Sequence, residues 1–327
     1  MKKSVSVIIP NYNGKHLLEL YVPSVIAALR FSEIVYEIII VDDQSKDDSA
    51  DFIRNTYPEI KLLVNDENRG FSYTCNQGIA IAGMDLTFLL NSDVRLTPDY
   101  FESQWKYFED SETFGVMGRI MNKEGTRIED AARILFYKGC RIKANRFYYS
   151  SNPEDKLYTA YLSGANALVD THKLKELGGF DEIYSPFTSE DSDLCTRAWM
   201  LGWKCYYEHQ SICYHQVSGS IRTQVKSDFM KKVYFRNRFI FHDLYLTGFR
   251  ASIWPAYLIL LELLPKLVTG KMWILKSYRD YKQTKQDIRE SAAKFNKLKK
   301  AHQSSLQTSD IMQIINRSLK GKPIIRL

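Results

Sequence analysis

Val5-Ser6-Val7-Ile8-Ile9-Pro10-Asn11-Tyr12-Asn13 and Glu37-Ile38-Ile39-Ile40-Val41-Asp42-Asp43 each run from a block of apolar, mostly β-branched residues into a polar cluster. Continuous blocks of this kind suit strands covered on both faces, as in a parallel sheet. Lys61–Val64 and Leu86–Leu90 repeat the pattern, the second ending on Asn91-Ser92-Asp93. The segments between them read as helices. Apolar side chains at 17, 20, 21, 25 and 28 have helical spacing, and Pro23 inside that stretch predicts a kink or a fresh start. Ser45-x-x-Asp48 predicts a capping box that opens a helix to about residue 56. Gly70 leads into a helix whose apolar face includes Phe71, Cys75, Ile79 and Ala82, and Thr97-Pro98 predicts a further helix start. Strands alternating with helices imply a parallel sheet with crossover connections, which binds ligands at the carboxyl ends of its strands.

The chain has 327 residues, 45% hydrophobic and 25% charged. That is enough to bury a core, and the length fits two domains or one large α/β domain with an appendage. Sixteen Gly and nine Pro exclude collagen-like and linker-like chains. Five Cys with no CxxC pair argue against a disulfide scaffold and a structural zinc site. Met-Lys-Lys-Ser enters VSVIIP at once, an apolar run too short for a signal-peptide core, so the expected compartment is the cytoplasm. The net charge of +7 hides an asymmetry: residues 1–220 carry 23 basic and 31 acidic side chains, residues 221–327 carry 22 and 7. An acidic working domain joined to a basic tail is implied, and such a tail suits an anionic surface.

Residues 112–160 mix Gly, aromatics and Arg without a clean period. Residues 191–201 read as a helix with Leu194, Ala198 and Leu201 on one face and Gly202 as its stop. Beyond 221 come aromatics and basic residues, then the apolar stretch 253–268, then one long polar helix carrying Tyr281, Ile288, Ala292, Phe295 and Leu298.

Polar groups collect where the strands end. Tyr12 can stack on a nucleobase, Asp43 can accept from an imide N–H, and Asn91 with Asp93 can hold a hard divalent cation against a diphosphate. Singly, each cluster reads equally well as ordinary turn and capping chemistry. In order they do not. VSVIIPNYN, EIIIVDDQSKDDS, NRGFSYTCNQGIA, FLLNSDVRLTPDYF, YLSGANALV, LKELGGFDEIYSPFTSEDSDLCTRAWMLGW and HQVSGSI cover about residues 4–240 in register. This arrangement resembles the inverting family 2 glycosyltransferases of the GT-A fold, and most of all the bacterial enzymes that place rhamnose, galactofuranose or related sugars on surface glycans.

The resemblance implies an α/β fold of GT-A type, a mostly parallel sheet flanked by helices, over residues 1–220. Residues 221–327 would form a basic, largely helical C-terminal extension. It implies a nucleoside pocket from Pro10, Tyr12 and Asp43 with Asp42 in support. Asn13, Asn68, Gly70, Asn91 and Ser92 would complete the donor site. Asn91-Ser92-Asp93 stands where the family carries Asp-x-Asp. Its first position is here a neutral Asn, so Asp93 becomes the main carboxylate ligand of a divalent metal, Mg2+ or Mn2+, with His215 completing the shell. Asp191 matches the general base, Glu190 its acidic neighbour, and Gly164 and Ala165 the acceptor side. Arg236, in Arg236-Asn237-Arg238, would reach a phosphate or support the site from behind. The donor would be a UDP- or dTDP-linked sugar, and the acceptor a glycan or lipid-linked glycan.

Those residue types suit the chemistry. Inverting transfer needs a carboxylate to take the acceptor proton and a cation to offset charge on the leaving diphosphate. Asp191 at a helix start is favoured in its ionised form unless burial or Glu190 raises it. Glu190 and Asp193 also read as structural, His215 as a satisfied core histidine, and His209 as structural. Cys75, Cys195, Cys205 and Cys213 read as small buried hydrophobes.

The stretch 253–268 is interrupted by Pro255, Glu262 and Pro265 and is shorter than the roughly 20 apolar residues of a spanning helix. It reads either as an interfacial helix on the inner face of the plasma membrane or as a helix packed on the catalytic domain or a dimer interface. In the first case Arg250, Lys266, Lys271 and Lys276 would flank it, with Trp254 and Trp273 at headgroup level. A homo-oligomer is left open. A nucleotidyltransferase would want a GxGxR-type loop where Pro-Asn-Tyr-Asn-Gly stands. A NAD enzyme would want a GxG, which is absent. A processive synthase would want Gln-x-x-Arg-Trp. A nucleic-acid-binding protein using the tail is disfavoured by the acidic first 220 residues, so nucleic acid is not an expected partner.

Overall fold

A computed structural model describes residues 2–216 and 227–327. Ser218 and Ser220 of the HQVSGSI motif, and the division expected at 220/221, lie outside the described residues. The chain order begins β1 (Val5–Asn11), α1 (Lys15–Phe31), β2 (Tyr36–Asp42), α2 (Ser49–Thr56), β3 (Lys61–Val64), α3 (Phe71–Ile81), β4 (Leu86–Leu90) and β5 (Val94–Leu96). It continues with β6 (Thr113–Asn122), β7 (Ile128–Asp130), β8 (Ala132–Lys138), β9 (Arg141–Ser150), β10 (Leu157–Tyr158), β11 (Asn166–Asp170), α4 (Thr171–Glu176), α5 (Glu190–Met200) and β12 (Lys204–His215). The C-terminal part holds α6 (Ser227–Tyr245), α7 (Gly248–Tyr257), a π-helical turn Leu258–Leu263, α8 (Leu264–Val268), α9 (Trp273–Gln283), α10 (Lys285–Ala301), α11 (Thr308–Ser318) and β13 (Ile324–Arg326).

The main sheet has the order β10-β12-β6-β11-β4-β1-β2-β3, with β5 on β12 and β7 on β6. β3, β2, β1 and β4 are parallel, β11 runs antiparallel between β4 and β6, and β12 is parallel to β6. Alternation along the strands builds two cores. Val5, Val7 and Ile9, with Ile38, Ile40 and Phe88, face Leu18, Val22 and Val25 of α1. Ile8, Ile39, Val41 and Leu89 face the other way, onto Cys75 and Ile79 of α3 and the C-terminal helices. That second core is shared: Phe239, Trp254, Ile274, Tyr281, Ile288 and Ile311 join it, so the C-terminal extension is packed as part of the catalytic body. The stretch without a readable period supplies β6, β7 and β10 to the main sheet and β8 and β9 to a second one, β13-β9-β8.

Several local expectations differ from the structure for identifiable reasons. Pro23 lies inside a continuous α1, with no fresh start. Ser45 does not cap α2; its hydroxyl donates to Asp42 and its backbone N–H donates to the same carboxylate at 2.8 Å, while α2 starts at Ser49. Thr97-Pro98 opens no α-helix. Thr97 Oγ1 donates to the Ile212 carbonyl at 3.0 Å, and Tyr100 and Phe101 are withdrawn into the core, leaving turns and a 3₁₀ turn at Trp105–Tyr107. The long polar helix is broken at Thr284 into α9 and α10. Trp254 is buried in the core and so is withdrawn from any lipid surface, while the partly buried Trp273 packs on Phe235 with ring centroids 5.0 Å apart.

α5 is anchored from within. Arg197 pairs with Asp193 at 2.7 Å and donates to the carbonyls of Leu177 and Gly179, both at 2.9 Å. Asp193 also accepts from Tyr184 at 3.2 Å and from Tyr245 of α6 at 2.5 Å. Burial raises the Asp193 carboxyl, and Arg197 opposes that rise. Removing one partner of a buried pair leaves the other charge uncompensated. Arg197→Met is therefore expected to lower the unfolding free energy by about 3–5 kcal/mol, read from urea titration.

Candidate active site

The carboxyl ends of β1 and β2 lie side by side because Asn11 pairs with Asp42 in register. Asn11 Nδ2 donates to Asp42 Oδ1 at 2.8 Å. Asp42 thus fastens the two loops together. Asn13, in left-handed backbone at φ 51°, receives Lys46 N–H on its side-chain oxygen at 2.7 Å. Tyr12 stays 39% exposed, which leaves its ring available for stacking. A Cβ placed on Gly14 would meet Asn11 Oδ1 at 2.3 Å and Ser92 Oγ at 3.7 Å, so the ends of β1 and β4 approach closely here.

Asp43 has a role the sequence did not reveal. Its Oδ1 accepts from Asn65 Nδ2 at 2.8 Å and from Arg69 N at 3.0 Å, and its Oδ2 accepts from Gly70 N at 2.8 Å. Asn68 Nδ2 donates to the Asp43 carbonyl at 3.3 Å. The carboxylate therefore shapes the 65–70 loop, with one lone pair on Oδ2 left over. Gly70, at φ 84°, is required because a Cβ would strike the Pro186 backbone at 2.8 Å. Through that contact and the Phe71 N to Pro186 O bond at 3.0 Å, the donor-side loop touches the turn that precedes Glu190.

Asp93 and His215 come together although far apart in sequence, because β5 pairs with β12 and sets Val94 opposite His215. His215 Nε2 lies 3.4 Å from Asp93 Oδ2, and Nδ1 lies 3.1 Å from Glu129 Oε2. Burial acts to lower the imidazole, but Asp93 and Glu129 outweigh it and push it up to about 9. Among the described residues no group of three His, Cys, Asp or Glu has metal-binding geometry. The donor set still fits a divalent cation. Mg2+ takes one or two carboxylates and draws its other ligands from phosphates and water, and a metal ion would take the place of the proton on His215 Nε2, the nitrogen that faces Asp93. Glu129, behind the imidazole, is the outer partner that orients such a ligand. It was not singled out in the sequence, where it lies in the stretch lacking a period.

On the other side of Asn91 a cavity of about 850 Å³ opens, walled by Asn91, Gly164, Ala165, Glu190 and Asp191, with Arg133 nearby. Asn91 N donates to Ala165 O at 3.3 Å, so Asn91 and Ala165 join the two halves of the site. Burial raises Glu190, with Asp191 the second cause, to about 8. Burial also raises Asp191, and Arg133 pulls it back. The dipole argument from sequence is thus overridden by desolvation. Arg133 is itself held by Asp130, with Nε to Oδ1 at 2.9 Å, next to Glu129. Asp93, His215, Glu129, Arg133 and Asp191 consequently form one connected neighbourhood.

The turn before Glu190 carries Thr188 and Ser189 at φ 75° and 76°, a conformation costly for residues with a Cβ. Asn237 of α6 holds it by donating to the carbonyls of Tyr184, Phe187 and Thr188 at 2.5, 2.8 and 2.9 Å. Arg236 donates to the Ser185 carbonyl and does not line the cavity. Its place is behind the site, whereas its neighbour Arg238 reaches the cavity wall. His209 stacks on Tyr149 with ring centroids 4.2 Å apart, accepts from Arg119 on Nε2 at 3.0 Å and bonds the Tyr207 hydroxyl through Nδ1 at 2.8 Å, apart from Asp93 and His215.

Comparison with known proteins agrees with this geometry. The family model for glycosyl transferase family 2 matches residues 6–178. The N-acetylglucosaminyl-diphospho-decaprenol L-rhamnosyltransferase of Mycobacterium tuberculosis is 23% identical over 231 residues, covering 63% of this chain and 74% of that protein. Polypeptide N-acetylgalactosaminyltransferase 16 of Mus musculus is 21% identical over 52% of this chain, which spans only 32% of the mouse protein's length. Among solved structures, the mannosyltransferase PcManGT of Pyrobaculum calidifontis in complex with GDP-Man and Mn2+ superimposes with a TM-score of 0.54 at 17% identity, covering 90% of this chain and 86% of that one. With a family match over more than half its length, the chain belongs to glycosyltransferase family 2, and its fold is of GT-A type.

Proposed function

We propose that this enzyme moves one sugar, with inversion, from a UDP- or dTDP-linked donor to a hydroxyl of a glycan or lipid-linked glycan in surface-polysaccharide synthesis. The observation that carries the reading is Asp191 on the wall of a cavity that Asn91 also lines, close in the chain to the Asp93–His215 pair. The donor base lies on Tyr12 and over the loops tied by Asp42 and Asp43. Asp93 and His215 would hold a divalent cation, Mg2+ or Mn2+, which when bound offsets the charge developing on the leaving diphosphate. PcManGT, with its GDP-Man and Mn2+, supports that choice of cation class. The acceptor enters the cavity with its hydroxyl at Asp191. Asp191 takes the hydroxyl proton as the oxygen attacks the anomeric carbon from the face opposite the diphosphate. Glu190, with its carboxyl raised by burial, keeps its proton more readily and limits the negative charge beside the base. Arg133 opposes the rise that burial imposes on the Asp191 carboxyl.

The tail supports membrane attachment. α7, the π turn and α8 form a 21-residue helical segment, Gly248–Val268, long and apolar enough to cross a membrane by length and composition, with 22% of its most apolar window buried. Its inward side carries the fully buried Glu262, which pairs with Arg141, Arg238 and Lys266. Outward, Phe249, Leu260, Leu261, Val268 and Met272 are each more than half exposed, with Arg250, Lys271 and Lys276 alongside. A segment fastened inward by a buried carboxylate and apolar outward fits a peripheral position on the inner leaflet.

Three measurements test this function. Asp191→Asn is expected to fold normally, bind sugar nucleotide as the parent does, and lose about 10²–10⁴-fold in kcat; transfer at the parent rate refutes the base assignment. Excess chelator is expected to abolish transfer and added Mn2+ or Mg2+ to restore it, with Asp93→Asn unresponsive to either; full activity in chelator refutes the metal pair. The intact protein is expected to float with vesicles containing anionic lipid and to be released when Leu260, Leu261 and Val268 are changed to Ser.

A further inference from the structure

The cavity is electrically lopsided. Glu190 and Asp191 stand at one end, while Lys143, Lys231 and Arg238 line the other, with aromatic walls from Phe187, Tyr234 and Phe241. Lys231 is paired with Asp228 at 3.5 Å, but the other cations here have too few counter-charges. Glu262 is the one carboxylate paired with Arg141, Arg238 and Lys266. Among the described residues Lys143 makes no hydrogen bond or ion pair, and Arg238 Nε is buried without a hydrogen-bond partner. Lys143 is lowered by burial, then by the positive charges of Arg238 and Arg141. Cations crowded into a partly buried recess repel one another and lose hydration, so the arrangement is stable with an anion among them.

We infer that this end of the cavity is a subsite for a phosphate or diphosphate carried by the acceptor, held by Lys143 and Arg238 with Lys231 at the mouth. The inference rests on the acceptor reading above and narrows it to an anionic acceptor. A molecule whose hydroxyl lies at Asp191 would place its phosphate among the cations, so the two ends of one cavity select both the reacting group and its handle. The same recognition chemistry is offered by a free phosphate and by a lipid-borne diphosphate, which is why both are used as probes. The site stands apart from the Asp93–His215 pair, so it requires no metal.

The test is calorimetric titration of the full-length protein, in EDTA, with pyrophosphate and with farnesyl diphosphate. Both are expected to bind, and Lys143→Met is expected to weaken both about 10-fold, as loss of one charge-assisted contact does. Lys143→Arg is expected to retain affinity, and Lys300→Met, remote on α10, to leave it unchanged. Tighter binding of farnesyl diphosphate than of pyrophosphate marks a lipid-borne diphosphate as the natural occupant; equal affinities mark the phosphate group alone. Failure of both probes to bind, or binding that Lys143→Met leaves unchanged, overturns the subsite. Because no turnover is involved, that outcome is distinct from failure of the transfer reading, which the Asp191→Asn rate decides.

Discussion

The site depends on one strained turn. Residues 184–189 must deliver Glu190 and Asp191 to the cavity, and they do so through two successive left-handed residues, Thr188 and Ser189, neither of them glycine. Left-handed backbone at such residues persists only where surrounding contacts over-determine it. Here the contacts come from two distant parts of the chain. Asn237 of α6 fills the inside of the turn, Arg236 holds its Ser185 carbonyl, and Pro186 rests on Gly70 at the start of α3. The donor-side loop, the base and the C-terminal extension are thereby locked into one unit. This explains physically why the basic extension shares a hydrophobic core with the sheet.

The second constraint is desolvation. Burial raises both carboxylates of the Glu190–Asp191 pair, and only Asp191 has an arginine close enough to counter it. Two adjacent acids are thus separated in behaviour by environment, as acid–base chemistry requires. The opposite polarity recurs at the far end of the same cavity, where Lys143 and Arg238 outnumber their carboxylate. Asn91 and Ala165, joined by a backbone hydrogen bond, line the same cavity, with Asn91 close in the chain to Asp93.

Much of the core was legible from short apolar runs. Val5 to Ile9, Ile38 to Val41 and Leu86 to Leu90 are buried on both faces, and two-sided burial appears in sequence as an unbroken apolar block. Signals that depend on a single side chain choosing among partners were not reliable. Ser45 could cap a helix, but Asp42 and Asn11 offered stronger partners. Thr97 could cap one too, but it bonds across to β12 instead. Glu129, Arg133 and Lys143 were illegible because they sit on β7, β8 and β9, where faces are half-exposed and strand register is irregular, so no period marks which side chains turn inward.

The sequence by itself determined the parallel sheet, the order of its strands' polar ends and, through its motifs, the family. It could do so because strand burial and turn chemistry are written in neighbouring residues. Tertiary structure alone decided that Asp43 shapes a loop, that Glu129 backs His215, that Asn237 holds the turn before Asp191, and that cations collect at one end of the acceptor cavity. Those facts arise from pairings between strands and helices dozens to hundreds of residues apart, and from the desolvation that such pairings impose on charge.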